Sequence, residues 1–86
     1  MISKVITVNN ETGFHLRPAG RLSKAAEACT SKVEIIYDHS IINAKSILNI
    51  LSACIRKGAQ IELRCTGPDE VQDLETLSEI IRCLED

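Results

Sequence analysis

Aromatic side chains are almost absent from this sequence: one Phe, one Tyr and no Trp in 86 residues. Without stacking platforms for bases, and with an acidic overall balance, the chain is a poor candidate for binding nucleic acid. Its core must be built from aliphatic side chains. No apolar run approaches the roughly 20 residues needed to span a bilayer, so membrane insertion is not expected. The N-terminal stretch lacks a basic segment followed by an apolar one, as a signal peptide would have, and the chain therefore reads as cytoplasmic. With four glycines and two prolines there is no low-complexity tract or linker, and no internal repeat is visible. A Gly-rich phosphate loop, a paired-histidine metal motif and a nucleophile elbow are all missing, so neither cofactor nor metal is expected.

What remains is the composition of an ordinary globular protein, 44% hydrophobic and 26% charged. Its length suits one domain, residues 1–86, with one modest core. Four cysteines, at 29, 54, 65 and 83, could suggest disulfides. No pair has CxxC spacing, however, and each sits in an apolar or periodic setting, so they are expected to be reduced and to act as small hydrophobes. The net charge of −2 is unevenly spread. Residues 69–86 hold seven acids against Arg82 alone, a charge of −6, which leaves +4 on residues 1–68. A locally basic surface suits an acidic protein partner.

Along the chain, residues 2–8 are β-rich, with Ile6 and Val8 facing one side. A helix is expected over about 16–28, its inner face Ala19, Leu22, Ala25, Ala26 and Cys29. Val33, Ile35 and Tyr37 alternate with Glu34, Ile36 and Asp38 as a strand. Asp38-His39-Ser40 turns into a short strand at 41–44, leaving His39 on the surface. Ser46 is a good N-cap for a short helix at 47–53, with Ile47, Ile50 and Leu51 inward. Ile61, Leu63 and Cys65 mark a fourth strand. After the turn at Gly67-Pro68-Asp69, with Asp69 a candidate cap, Val71, Leu74, Leu77, Ile81 and Leu84 form the expected buried stripe of a last helix. The order β-α-β-β-α-β-α with hairpin-length links implies an α+β fold, an antiparallel sheet with helices on one face.

The segment Gly13-Phe14-His15-Leu16-Arg17-Pro18-Ala19-Gly20 carries the chemistry. Pro18 suits the first turn of a helix, where its missing N–H is no loss. His15 then lies just outside the helix N-terminus, where unpaired N–H groups and the positive end of the dipole favour an anion. Arg17 adds a planar donor fork matched to phosphate oxygens. A neutral imidazole nitrogen is a competent nucleophile near neutral pH. The bland reading of a single loop histidine is a solvated side chain; its setting points instead to one that carries a phosphoryl group. Arg17, Arg21 and Lys24 fall on one helical stripe, with Leu16 and Gly20 beside it, off the core face. An apolar spot rimmed by positive charge suits an acidic docking partner, although an ordinary solvated basic face would read the same way.

This octapeptide resembles the active-site motif of the HPr family, the histidine-containing phosphocarriers of the bacterial sugar phosphotransferase system. Asn43-Ala44-Lys45-Ser46-Ile47-Leu48-Asn49-Ile50-Leu51-Ser52 resembles the family's second motif, a Lys-Ser pair opening a short apolar helix. Their separation, Gly58 and the Thr66-Gly67 turn also fit, so the resemblance covers nearly the whole chain. It implies an open-faced β-sandwich, a four-stranded antiparallel sheet with three helices on one face. It further implies a monomeric carrier, not an enzyme, that takes a phosphoryl group on His15 from enzyme I and passes it to sugar-specific acceptor proteins, with Arg17 stabilising the phosphate. The implied partner surface comprises Leu16, Gly20, Arg21, Lys24, Lys45, Ile47, Leu48 and Leu51. Ser46 is implied as a regulatory phosphorylation site, which would bring in HPr kinase/phosphorylase and a catabolite-control regulator.

The chain departs from the family pattern at Phe14, Leu16, Leu48, Asn49, Leu51 and Cys54. None of these removes the phosphorylatable ring, but several touch the docking surface. Leu16, Asn49 and Cys54 keep open an alternative: a regulatory binding domain of the same fold, controlled at Ser46. A carrier of the nitrogen-related or glycerone-pathway type, with other partners, is a third option.

Overall fold

Ile61, Leu63 and Cys65 alternate with Glu62, Arg64 and Thr66, so an extended chain there puts an apolar row on one face and a charged row on the other. The computed structural model, which describes residues 1–85, realises that split across a four-stranded sheet. Its elements are β1 (Ile2–Thr7), α1 (Leu16–Glu27), β2 (Lys32–Tyr37), β3 (Ser40–Asn43), α2 (Ile47–Ser52), β4 (Gln60–Thr66) and α3 (Glu70–Arg82). The spatial order is β1-β4-β2-β3, and every neighbouring pair is antiparallel. Leu63 is flanked by Ile35 and then Ile42, and Ile61 by Ile6, which gives one continuous aliphatic face.

The three helices cover that face. α1 contributes Ala19, Leu22 and Ala26, α2 contributes Ile50, and α3 contributes Leu74, Leu77 and Ile81, all buried. Each fully buried Leu or Ile stabilises the fold by about 1.5–3 kcal/mol relative to its exposed state. The opposite face of the sheet carries charge: Arg64 pairs with Glu62 at 3.2 Å and Lys32 with Glu34 at 3.6 Å. The open-faced sandwich expected from the sequence is the fold observed.

Four details correct the sequence reading. The strand expected at 41–44 begins at Ser40, because Asp38 and His39 both take positive φ (51° and 66°) in a two-residue turn that pairs Tyr37 with Ser40. Ala44 is buried but lies past the strand end. Val71 is 63% exposed rather than part of the buried stripe; Ser78 occupies the inward position next to Leu74, and Val71 falls beyond it. Asp69 stands at the N-cap of α3 without capping it, since its carboxylate accepts a hydrogen bond from the Thr30 hydroxyl at 2.8 Å.

The cysteines divide. All four are free thiols. Cys65 is buried, and burial pushes its thiol up to about 11, so it behaves as a small hydrophobe. Cys29 is half-buried, and its thiol is raised chiefly by burial. Cys54 and Cys83 are exposed, against expectation. Cys54 falls at a positive φ of 54° just past α2, where the backbone turns outward, and Cys83 follows the last turn of α3 on its solvent side. Asp86, one of the acids in the C-terminal charge run, lies outside the described residues.

Candidate functional site

Two loops meet at the start of α1, and their backbones hold each other. The Phe14 amide donates to the Ile55 carbonyl at 2.9 Å. Gly13, at φ 64°, packs so closely on this loop that a Cβ there would collide with the Ile55 carbonyl and lie 2.7 Å from Cα of Arg56. Glycine is needed at this position for both its backbone angle and its lack of a side chain. The Asn10 amide side chain donates to the Gly13 carbonyl at 2.7 Å, which closes the loop from the other side. The residue just before α1 is thereby set firmly in place.

That residue is His15, the N-cap of α1, with extended backbone angles (φ −81°, ψ −174°). Its carbonyl accepts the first intrahelical bond, from the Ala19 amide at 2.8 Å, but its side chain makes no capping bond. The exposed ring is therefore left to solvent and to any partner. Pro18, buried in the first turn, contributes no N–H, so the amides of Leu16 and Arg17 are the donors that α1 presents at this end.

His15 and Thr12 line two clefts in common. One, of about 300 Å³, is lined by Thr12, His15, Leu16, Arg17 and Pro18. The other, of about 370 Å³, is lined by Thr12, Phe14, His15, Leu51, Cys54, Ile55 and Arg56. Among the described residues no carboxylate lines either cleft, and each contains one guanidinium. Glu11, the nearest acid in sequence, is paired with Lys57 at 2.7 Å. The arrangement suits a nucleophilic ring that acquires negative charge: backbone donors lie beside it and an arginine shares each of its clefts, with no acid opposed among the described residues.

The residues expected on the docking surface are spread over several clefts, and only Leu16 and Leu51 share one with the ring. Leu16 is 59% exposed beside His15. Leu51 shares a cleft with the ring, and Ile47 approaches Gly20, its Cδ1 3.5 Å from where a Cβ would stand. Arg17, Arg21 and Lys24 are all exposed on α1. Arg21 and Lys24 border a groove toward α3, with Ala25, Ala28 and Ile80. Leu48, 71% exposed, lies on the side of α2 that faces β3, in a cleft with Ser40 and Ile42.

Two further positions have local partners. Ser46 caps α2: its hydroxyl oxygen accepts from the Asn49 amide at 3.3 Å and from the Asn49 side chain at 3.0 Å. Asn49 thus adds a second bond to the cap. Lys45 is half-buried, and its ammonium donates to the Cys29 carbonyl at 3.0 Å, just past the C-terminus of α1. Its charge is applied at the opposite end of the helix from His15, where a cation complements the dipole.

The residue the sequence reading missed is Arg56. It stands in an aperiodic stretch between α2 and β4, about 40 residues after His15 in the chain. Only the tertiary pairing of the two loops brings it to the site. Cys54 was visible as a departure from the family pattern, but not as a member of the His15 cleft.

A family model described as the PTS HPr component phosphorylation site matches residues 2–82. The chain is 34% identical to phosphocarrier protein HPr of Treponema pallidum over 82 residues, covering 95% of this chain and 93% of that one. It superposes on an HPr of Thermoanaerobacter tengcongensis with a TM-score of 0.92, at 32% identity, covering 95% and 92% of the two chains. Crh of Bacillus subtilis, a catabolite repression protein solved as a domain-swapped dimer, is also similar (TM-score 0.77, 32% identity, 95% and 94% covered). Sequence and fold agree: the chain belongs to the HPr family of the phosphotransferase system, phosphoryl carriers rather than enzymes.

Proposed function

We propose that His15 is the phosphoryl acceptor of this carrier, that enzyme I is its donor, and that sugar-specific acceptor proteins receive the group in turn. The observation that supports this most directly is the exposed His15 ring, unused by the helix it caps, with Arg17 and the first-turn amides beside it. In the forward step the lone pair of a ring nitrogen attacks phosphorus. A P–N bond forms as the bond from phosphorus to the donor breaks, and the donor leaves with that electron pair. The reverse arrangement passes the group onward. Arg17 and the helix terminus stabilise the charge on the transferring oxygens. Because the site is open to solvent, that stabilisation is modest, as a carrier that must release its cargo requires.

The partner-binding surface in this reading is Leu16, Gly20, Arg21, Lys24, Ile47, Leu48 and Leu51, with Lys45 contributing from behind. The protein works in the cytoplasm as a monomer. Ser46 is a regulatory phosphorylation site in this reading, acted on by HPr kinase/phosphorylase and read by a catabolite-control regulator; the similarity to Crh, a catabolite repression protein, fits a regulator of that kind. Incubation with enzyme I and phosphoenolpyruvate should yield acid-labile phosphate on the wild type and none on His15→Ala, whose fold should be unchanged. Equal labelling of both proteins would exclude His15. An unlabelled wild type would favour a binding domain controlled at Ser46.

A further inference from the structure

We infer that Arg56 is a second phosphate-binding residue of the carrier, contacting the phosphoryl group on His15 from the side opposite Arg17. The inference rests on the proposed role of His15 and adds a residue to that site. His15 lines two clefts, with Arg17 in one and Arg56 in the other. Arg56 is held close by its backbone: Gly13, two residues before the ring, packs against its Cα, and the neighbouring Ile55 carbonyl is bonded to the Phe14 amide. Its side chain is exposed, and among the described residues its guanidinium is in no ion pair, whereas the adjacent Lys57 is paired with Glu11. A guanidinium left unpaired, beside a ring expected to bear phosphate, in a cleft that no described carboxylate lines, is placed to supply donors to phosphate oxygens. Two cations flanking the ring would hold the dianionic phosphoryl group more tightly than Arg17 alone.

The test needs no partner protein. Phosphoramidate, a chemical phosphoryl donor to imidazole, is used to load His15 in a His39→Asn background. Asn tolerates the left-handed angle at 39, and a single phosphorus resonance then remains. The pH titration of that resonance is followed for the background protein and for Arg56→Ala, Arg56→Lys and Lys57→Ala within it. Protons on a phosphorylated ring are released at higher pH once a neighbouring positive charge is lost. The midpoint should therefore rise by about half a unit in Arg56→Ala, an effect kept small by solvent exposure. Arg56→Lys should recover most of it, and Lys57→Ala should leave it unchanged. An Arg56→Ala midpoint equal to that of the background protein would overturn the inference while leaving His15 as the acceptor. An equal shift in Lys57→Ala would also overturn it, by reducing the effect to general surface charge. Loading that fails in every variant would overturn both readings. Arg56→Gln, which keeps most of the side chain's length, serves in the same comparison if Arg56→Ala does not fold.

Discussion

The two ends of α1 treat polar groups in opposite ways. At its N-terminus the His15 ring and the Arg17 and Arg56 guanidinium groups are exposed, and among the described residues no acid lines their clefts. At its C-terminus nearly every polar group is tied down. Lys45 donates to the Cys29 carbonyl, and the Asp73 carboxylate accepts from both the hydroxyl (2.6 Å) and the amide (3.2 Å) of Ser31. Asp69 accepts from Thr30, and Glu70 takes the Met1 ammonium at 2.8 Å and the Gly67 amide at 3.1 Å. A helix of 12 residues, about 18 Å long, separates the two settings. Groups that satisfy one another stabilise a fold but have little left to offer a ligand. Groups kept unsatisfied at the surface cost little there and remain available for charge that arrives later. The C-terminal end fastens α1 to β2 and α3, while the N-terminal end leaves the His15 ring and Arg17 exposed to solvent.

Substitutions sharpen that contrast, and the largest effect is expected at the open end. Arg17→Ala should slow phosphoryl transfer from enzyme I about tenfold to a hundredfold, on the order of 1.5–3 kcal/mol in the transition state, while leaving the denaturation midpoint nearly unchanged. Transfer kinetics identical to wild type would mean that Arg17 does not face the phosphate.

The closed end should respond the other way. Asp73→Asn should cost about 1–2 kcal/mol of stability, through weaker acceptance of the Ser31 bonds, and leave transfer unaltered. The Ser31 hydroxyl, followed by its amide, holds the Asp73 carboxyl below its ordinary range. A depressed carboxyl stabilises the fold at pH values above its unfolded value of about 4 and loses that contribution as pH falls through the folded one. The stability gap between wild type and Asp73→Asn should therefore be full at pH 7 and narrow in acid below about pH 4. A gap that is constant with pH in urea titrations would remove the charge from the explanation.

Ser46 falls between these two cases, because it both caps α2 and lies on the proposed docking side. Ser46→Asp keeps a good capping oxygen, so stability should move by less than about 0.5 kcal/mol. Phosphorylation at His15 should weaken through poorer association with enzyme I, since the added negative charge opposes an acidic partner. The loss should shrink as salt rises. Equal rates at every protein and salt concentration would leave Ser46 only its structural role.

The fold was legible because its elements are written in local periods. Alternation at Val33–Ile35 and Ile61–Leu63–Cys65, and three- and four-residue steps from Ala19 to Ala26, need no tertiary information. His15 and Arg17 were legible because a proline just inside a helix start is a local signal. Arg56 was not, because its place depends on the meeting of Gly13 with a loop some 40 residues away. Asp69 misled for a related reason: its capping geometry is local, but the Thr30 hydroxyl that claims its carboxylate comes from the far end of α1. Val71 shows the limit of a stripe read by spacing, since Ser78 fits the same arc and is the residue that is buried.

Cys54 gives the His15 cleft a built-in chemical gauge. It is an exposed thiol on the cleft wall, and the second exposed thiol, Cys83, follows α3 and lines neither cleft beside the ring. A thiol-alkylating reagent therefore meets one exposed cysteine inside the His15 cleft and another outside it, in the same unmodified molecule. Their relative labelling rates report the occupancy of the cleft, with Cys83 as the internal reference. A bound partner should shield the first and leave the second, so a docking footprint can be recorded without introducing a probe.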